Sequence, residues 1–169
     1  MYTRHATVST EQIDDVILVA VDDAITGVYY PQHWTNPDWT SFGQQVDLDQ
    51  DRLLRTAADQ LQEYLSGRRT TFDLPTRVHG SAFEHKVWAI LDELEFGETT
   101  TYGEIAERLG DRALARMVGR AVGSNPLSIL VGCHRVVGKN GKLTGYAGGL
   151  TRKEFLLGLE ARSRQPVLP

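Results

Sequence analysis

Apolar residues recur in two periods along the first half of the chain, and these periods predict two strands and a helix. The β-branched run at 16–21 lies between acidic residues and predicts a buried strand. Residues 25–30 predict a second strand, paired with the first through an Asp-Asp turn. A further short strand is expected at 70–74. Apolar residues at helical spacing predict a helix over 51–66.

Three capping boxes in the second half of the chain, each a Ser or Thr with Glu at the N3 position, predict helix starts. The helices that they open are expected to end near Glu95, Gly110 and Glu160. The boxes are Ser81 with Glu84, Thr101 with Glu104, and Thr151 with Glu154. A further helix over 112–122 follows the second of these helices after a glycine turn, and the pair predicts a helix-turn-helix.

This order of elements predicts an α+β (α/β) chain with two domains. Residues 1–75 are expected to form a small α/β domain without visible chemistry, and residues 76–80 a linker. Residues 81–169 are expected to form a mainly helical domain. No apolar run is long enough for a transmembrane helix, and the N-terminus has no apolar core of a signal peptide.

Charge is divided unevenly between the two halves of the chain. The net charge is −4, but residues 1–100 carry −10 and residues 101–169 carry +6. Such asymmetry indicates a polyanionic partner for the basic half. Arg112, Arg116 and Arg120 recur every fourth residue and predict one exposed stripe on the 112–122 helix, typical of phosphate contacts. The opposite, apolar face is expected to hold Ala113, Leu114, Met117, Val118, Ala121 and Val122.

Small residues on the same helix leave two interpretations open. Ala115 and Gly119 keep parts of it slim, and Gly119 costs about 1 kcal/mol of helix propensity relative to Ala. Close approach to DNA is one reason to accept that cost, and tight packing on another helix is the other.

The chain has one cysteine, Cys133, and His134 follows it directly. A single thiol excludes an intrachain disulfide and a cysteine-rich zinc site, and it favours a reducing cytoplasm. We expect no metal and no cofactor. On these residues alone a packed cysteine and a nucleophile are about equally favoured. Apolar neighbours predict a strand here, and a strand would place the Cys133 and His134 side chains on opposite faces. A water bridge or a turn at Gly132 is then needed for the imidazole to act on the thiol.

A nucleophile's base needs an orienting group, and Glu160 is the best carboxylate for this role, because Glu154 is expected to cap its helix. The small residues at 146–149 predict a mobile loop with room for a flat ligand beside Cys133.

One set of residues in fixed register resembles the O6-alkylguanine-DNA alkyltransferases, the methylated-DNA–protein-cysteine methyltransferases. The resemblance is continuous from about Ser81 to Glu160. It implies a ribonuclease-H-like N-terminal domain and a winged helix-turn-helix-like DNA-binding and catalytic domain. The matching residues are Tyr102, Arg116, Asn125-Pro126, Cys133–Val137, Gly141, Gly145–Gly149, Lys153–Leu157 and Glu160.

The resemblance implies direct-reversal DNA repair by a single-turnover enzyme. Cys133 would irreversibly take the alkyl group from O6 of guanine, or O4 of thymine, in double-stranded DNA. His134 would act as base through a water, with Glu160 orienting it. Asn125 would brace the turn, and Tyr102 would protonate the leaving guanine.

The same resemblance implies how DNA is held. The helix-turn-helix would dock in the minor groove, Tyr102 would help to rotate the nucleotide, and Arg116 would replace the flipped base. The other residues expected at the DNA are Arg112, Arg120, Ala115, Gly119 and Arg135. The guanine pocket would be lined by Val136, Tyr146, Ala147, Gly148 and Lys153.

The sequence departs from the family pattern at two usual prolines. Gly132 precedes the cysteine and predicts a looser turn, and Ser128 alters the expected pocket wall. A non-catalytic lesion-recognition protein and a helix-turn-helix regulator are the competing hypotheses. We expect a cytoplasmic monomer without membrane contact.

Overall fold

The computed structural model describes residues 1–164, and they form five α-helices and six short or medium strands in a mixed α/β arrangement. The chain folds into two units, each packed mainly within itself. One contains residues 1–79 together with 126–130, and the other contains residues 80–125 and the chain from Val131 onward. Within residues 1–164, no helix is both long and apolar enough to cross a membrane.

A four-stranded sheet and one helix make up the first unit. The sheet contains β1 (Thr3–Thr10), β2 (Asp14–Val21), β3 (Ala24–Tyr29) and β4 (Gln44–Gln45), in the order β3-β2-β1-β4. The first three strands are antiparallel neighbours, and β4 runs parallel to β1. The predicted hairpin of β2 and β3 is therefore confirmed. No sequence prediction covered β1, in which the buried Arg4 and the half-buried His5 interrupt an apolar pattern.

Helix α1 (Arg52–Leu65) covers the sheet with the apolar face that its spacing predicts. Its N-cap Asp51 accepts a hydrogen bond from the backbone N–H of Leu54 at 2.9 Å. The same carboxylate pairs with Arg4 of β1 at 2.6 Å, and this bond is the main reason that the pKa of Asp51 is lowered. The strand predicted at 70–74 is wrong, since only Thr76 forms an isolated bridge, to Ile25.

Residues 126–130 belong to the first unit although they lie between elements of the second. The backbone N–H of Val28 donates to the carbonyl of Pro126 at 2.8 Å, and Leu127 forms a bridge with Val28. Ile129 is buried with φ of +72°, a left-handed conformation that is strained for a β-branched residue. The segment that leads to Cys133 is therefore held in an unusual backbone shape.

Four helices and a two-stranded parallel sheet make up the second unit. The helices are α2 (Ala82–Glu93), α3 (Tyr102–Arg108), α4 (Ala115–Gly123) and α5 (Leu150–Arg164). The strands are β5 (Thr100–Thr101) and β6 (Val136–Val137). The capping boxes of α2 and α3 are confirmed in full. The indole N–H of Trp88 on α2 donates to the carbonyl of Ala121 on α4 at 2.8 Å and ties these helices together.

Two helix boundaries differ from prediction. Residues 112–114 form a 3₁₀ turn capped by Asp111, so α4 begins at Ala115. The third capping box is wrong, because Thr151 already lies inside α5, where the first i→i−4 bond joins Lys153 to Gly149. Helix α5 also continues past Glu160 to Arg164, and the rest of the predicted frayed tail lies outside the described residues.

Candidate active site

Cys133 lies on a 3₁₀ turn, Cys133–Arg135, and not on a strand. The backbone N–H of Cys133 donates to the carbonyl of Val131 at 2.7 Å, and that of Arg135 donates to Gly132 at 3.0 Å. A 3₁₀ turn has three residues per turn, so successive side chains diverge by about 120° and do not face opposite ways. The expected strand separation of Cys133 from His134 therefore does not arise. Both side chains are buried.

The carboxylate of Glu160 is the centre of a buried hydrogen-bond network. Its Oε2 lies 2.7 Å from His134 Nε2 and 3.1 Å from Arg135 Nη2. Its Oε1 accepts from Arg135 Nε at 2.8 Å and from the backbone N–H of Gly97 at 2.9 Å. Glu160 is 1% exposed, so this charge is sustained by its partners and not by solvent.

Burial and the Glu160 bond together fix the protonation of His134. Burial lowers the pKa of His134 below its usual 6.5, although the hydrogen bond and charge of Glu160 act in the opposite direction. The ring is therefore neutral near pH 7. Because an ionised carboxylate only accepts hydrogen bonds, the His134 proton must sit on Nε2. Nδ1 then carries the lone pair, as a general base requires.

Arg135 was predicted among the DNA-contacting residues, but its guanidinium is buried. It bridges both oxygens of Glu160, and its Nη1 donates to the backbone carbonyl of Leu94 at 2.7 Å. Only 9% of the residue is exposed. Since these bonds occupy the guanidinium, Arg135 is placed to support Glu160 and not to contact phosphate.

Lys153 is a fully buried cation in the electrostatic neighbourhood of Cys133. Its Nζ donates to the carbonyl of Val136 at 2.6 Å and to that of Thr144 at 3.1 Å. Burial lowers the pKa of Lys153 to about 8, against an opposing effect of the Cys133 charge. The ammonium is therefore still mostly protonated near pH 7, and a nearby cation favours a thiolate.

Asn125 is buried at the end of α4, and its side-chain amide donates to the carbonyl of Val131 at 3.3 Å. That carbonyl also accepts the N–H of Cys133. Asn125 and Cys133 thus share one acceptor, which is the geometry of a brace on the turn.

Tyr102 begins α3 and is half-buried, with its hydroxyl 3.0 Å from Thr144 Oγ1. Lys153 Nζ lies 3.5 Å from the same oxygen, so Thr144 connects Tyr102 to the buried cation. No sequence signal pointed to Thr144, to Gly97 or to Leu94, because each acts through position or a backbone atom. The expected pocket residues Val136, Tyr146, Ala147 and Gly148 are all buried, and the backbone N–H of Gly149 donates to the carbonyl of Tyr146 at 2.9 Å.

The arginine stripe is exposed as predicted. Arg112 pairs weakly with Glu107 at 3.4 Å, while Arg116 and Arg120 have no side-chain partner among the residues that the structure describes. Ala113 and Met117 were expected on the apolar face, but both are exposed, Met117 to 41%. A Cβ added to Gly119 would lie 3.8 Å from the Tyr102 ring, an ordinary contact, so helix packing does not require glycine there.

Comparison with known proteins matches these residues to one family. A family model described as "6-O-methylguanine DNA methyltransferase, DNA binding domain" matches residues 82–162, which include every side chain of the network. The constitutive methylated-DNA–protein-cysteine methyltransferase of Bacillus subtilis is 40% identical over 159 residues, covering 93% of this chain and 95% of the relative. The chain belongs to the methylated-DNA–protein-cysteine methyltransferase family.

Two mycobacterial proteins extend this similarity. The methylated-DNA–protein-cysteine methyltransferase of Mycolicibacterium paratuberculosis is 50% identical over 111 residues, which are 66% of this chain and 67% of the relative. The crystal structure of Mycobacterium tuberculosis OGT in complex with DNA is similar with a TM-score of 0.83 and 35% identity. That alignment covers 95% of this chain and 94% of that one, so both units share the fold of the relative.

The structure describes the surroundings of both departures from the methyltransferase pattern. Gly132 has φ of −72°, a value that proline also adopts, so its backbone is not in a conformation that needs glycine. Ser128 is fully buried, and its hydroxyl has no hydrogen-bond partner among the described residues. No group of three or more His, Cys, Asp or Glu side chains within residues 1–164 is placed to hold a metal ion.

Proposed function

We propose that this chain repairs alkylated DNA by moving the alkyl group from O6 of guanine to Sγ of its own Cys133. The observation that carries the proposal is the buried pair of His134 and Glu160, joined at 2.7 Å, on the turn that holds Cys133. A cysteine that only packs needs no neutral histidine with a fixed tautomer beside it. The same proposal extends to O4-alkylthymine.

The reaction is a displacement at carbon. The thiol proton passes through a water to His134 Nδ1, and the thiolate attacks the alkyl carbon. The bond from that carbon to O6 breaks, and its electron pair leaves with guanine. The product is a thioether, which no group in the network can hydrolyse, so each molecule reacts once.

Charge in the site assists both halves of this step. Burial keeps His134 neutral and therefore able to accept a proton, and the Lys153 ammonium offsets the negative charge of the thiolate. The Tyr102 hydroxyl, held by Thr144 and close to the ammonium through it, supplies the proton to the departing guanine.

The exposed face of α4 is the proposed DNA surface. Arg112 and Arg120 contact phosphates, Arg116 enters the stack in place of the flipped nucleotide, and Ala115 and Gly119 allow close approach. Met117 adds an exposed apolar group on the same helix, a type of side chain that minor-groove proteins insert at base steps. Flipping is required because O6 cannot be reached inside the duplex, and Tyr102 at the start of α3 assists it.

The flipped guanine is proposed to enter a pocket formed by the turn, β6 and the start of α5. Lys153 holds the Val136 carbonyl, so the pocket wall is tied to the cation. The wall residues are Val136, Tyr146, Ala147, Gly148 and Lys153. We assign a ribonuclease-H-like domain to residues 1–75, a linker to 76–80 and a winged helix-turn-helix-like domain to 81–169, on the family resemblance.

The test is stoichiometry. The protein is mixed with a duplex that holds one O6-methylguanine, and repaired guanine is counted at several ratios of protein to DNA. We expect one repaired base for each protein molecule and none with Cys133→Ser. Tight binding without repair would instead support a lesion-recognition protein, and preference for one DNA sequence over any lesion would support a regulator.

A further inference from the structure

The guanidinium of Arg135 makes three hydrogen bonds inside the site, and contact with DNA does not explain them. Its Nε and Nη2 span the two oxygens of Glu160, and its Nη1 reaches the Leu94 carbonyl. A planar guanidinium can hold a carboxylate at both oxygens, which a lysine cannot do. The carboxylate plane, and with it the line from Oε2 to His134, is therefore set by the orientation of Arg135.

Gly132 leaves the space that the Arg135 side chain fills. A Cβ on Gly132 would lie 2.8 Å from Arg135 Cδ, 3.1 Å from Nη1 and 3.3 Å from Nε. Distances this short force a shift, and three hydrogen bonds to Glu160 and Leu94 hold the Arg135 side chain, so it cannot move without breaking bonds. Because φ of Gly132 is ordinary, the absence of a Cβ and not backbone freedom is what this glycine supplies.

We propose that Arg135 is a positioning residue for the Glu160–His134 pair and that Gly132, because it has no side chain, leaves the space that the Arg135 side chain needs. This inference rests on the proposed function and deepens it. It also gives Gly132 a role other than the looser turn that the sequence predicts, namely to leave space for the Arg135 side chain. Where a side chain stands at this position, the guanidinium must lie differently.

The proposal predicts that the two residues act through one geometry. Displacing the Arg135 guanidinium tilts the Glu160 carboxylate and weakens its hydrogen bond to the His134 ring. Proton removal from Cys133 is then slower. A misplacement of about 1 Å is enough to slow an enzyme by about 10²-fold. The charged groups that act on the pKa of His134 are Glu160, which raises it, and Arg135 and Lys153, which lower it. Loss or displacement of the guanidinium removes one charge that opposes the imidazolium.

A double-mutant cycle tests this coupling. Gly132→Ala, Arg135→Met and the double variant react with an O6-methylguanine duplex under single-turnover conditions, with DNA affinity measured in parallel. We expect Gly132→Ala to slow methyl transfer about 10- to 100-fold and Arg135→Met about 100-fold, with the double variant no slower than Arg135→Met. DNA affinity should stay unchanged. Rate losses that multiply in the double variant, or an Arg135→Met variant that reacts normally, would overturn the proposal.

Two controls separate this effect from general damage. Gly103→Ala adds a Cβ whose nearest contact is 3.7 Å away, and Arg108→Met removes an exposed arginine paired with Glu93. Both should react at the wild-type rate. If Gly132→Ala or Arg135→Met fails to fold, Arg135→Lys keeps the charge and lacks the fork, and it should still slow transfer about 10-fold. Normal transfer by a folded Arg135→Lys variant would also contradict the role of the fork.

A second readout does not depend on methyl transfer. The nitrogen NMR shifts of the His134 ring report its tautomer and its pKa in the absence of DNA. Gly132→Ala and Arg135→Met should both raise the His134 pKa, and both should broaden the Nε2–H signal. If both substitutions change His134 in this way but the wild-type protein repairs no lesion, the proposed function is wrong and the positioning role stands. An unchanged His134 in both variants would defeat the positioning role alone.

Discussion

Replacing Glu160 with glutamine is the substitution that disturbs the network most sharply while conserving shape. The carboxylate accepts from two donors at each oxygen: Gly97 and Arg135 at Oε1, His134 and Arg135 at Oε2. A glutamine amide has one accepting oxygen and one donating nitrogen. In either orientation its NH₂ therefore faces two N–H groups, and the buried Arg135 loses its counter-ion.

The structure sets the size of both expected effects. Removing one partner of a buried ion pair costs about 3–5 kcal/mol of folding free energy. For a chain of this length that lowers Tm by roughly 6–20 °C. Loss of an oriented general base slows the reaction by roughly 10²- to 10⁴-fold. The two losses come from the same four hydrogen bonds and should appear together.

The assay is methyl transfer under single-turnover conditions at a temperature where the variant is folded, combined with thermal unfolding. Glu154→Gln is the matched control, because Glu154 lies on the same helix, is exposed and accepts no hydrogen bond that the structure describes. It should leave both the rate and Tm unchanged. A folded Glu160→Gln variant that transfers methyl at the wild-type rate would refute the relay through His134.

Three further predictions concern DNA, salt and pH. Arg116→Ala should slow repair in duplex DNA far more than reaction with free O6-benzylguanine, because only the duplex needs a flipped base, and equal slowing would contradict the finger role. Lesion binding should weaken steeply with salt, and Arg120→Ala should reduce the slope of log K against log salt by about 1, whereas an unchanged slope would remove Arg120 from the phosphate contacts. Because the pKa of His134 lies below 6.5, the base form persists as pH falls through neutrality, and the rate should decline only below pH 6.5; a decline centred above that value would mean that His134 is charged in the resting protein.

Much of the fold could be predicted from local signals. The capping boxes at Ser81 and Thr101, the α1 stripe and the β2–β3 hairpin each rest on neighbours in sequence, and each was confirmed. Strand β1 was missed because a buried arginine breaks its pattern, and the hydrogen-bond partners of that arginine, Asp51 and the carbonyl of Asp22, are both far away in sequence.

The site residues also divide into those that the sequence indicates and those that only the fold brings together. Cys133, His134 and Glu160 were predicted from residue type and family register, because their chemistry would be carried by their own side chains, and the structure joins His134 to Glu160 by a hydrogen bond. Arg135 was predicted at the DNA, because nothing local in the sequence shows that its guanidinium is buried and bonded to Glu160 and to the Leu94 carbonyl. Thr144 and Gly97 act through a hydroxyl and a backbone N–H that only the fold brings into place.

Intact-protein mass spectrometry with peptide mapping tests the central claim most directly. After reaction with an O6-methylguanine duplex, the protein should gain the mass of one methyl group in place of one hydrogen, and the modified peptide should contain Cys133. The DNA should contain unmodified guanine at the same position. An unmodified protein beside repaired DNA, or a methyl group on any other residue, would contradict the account.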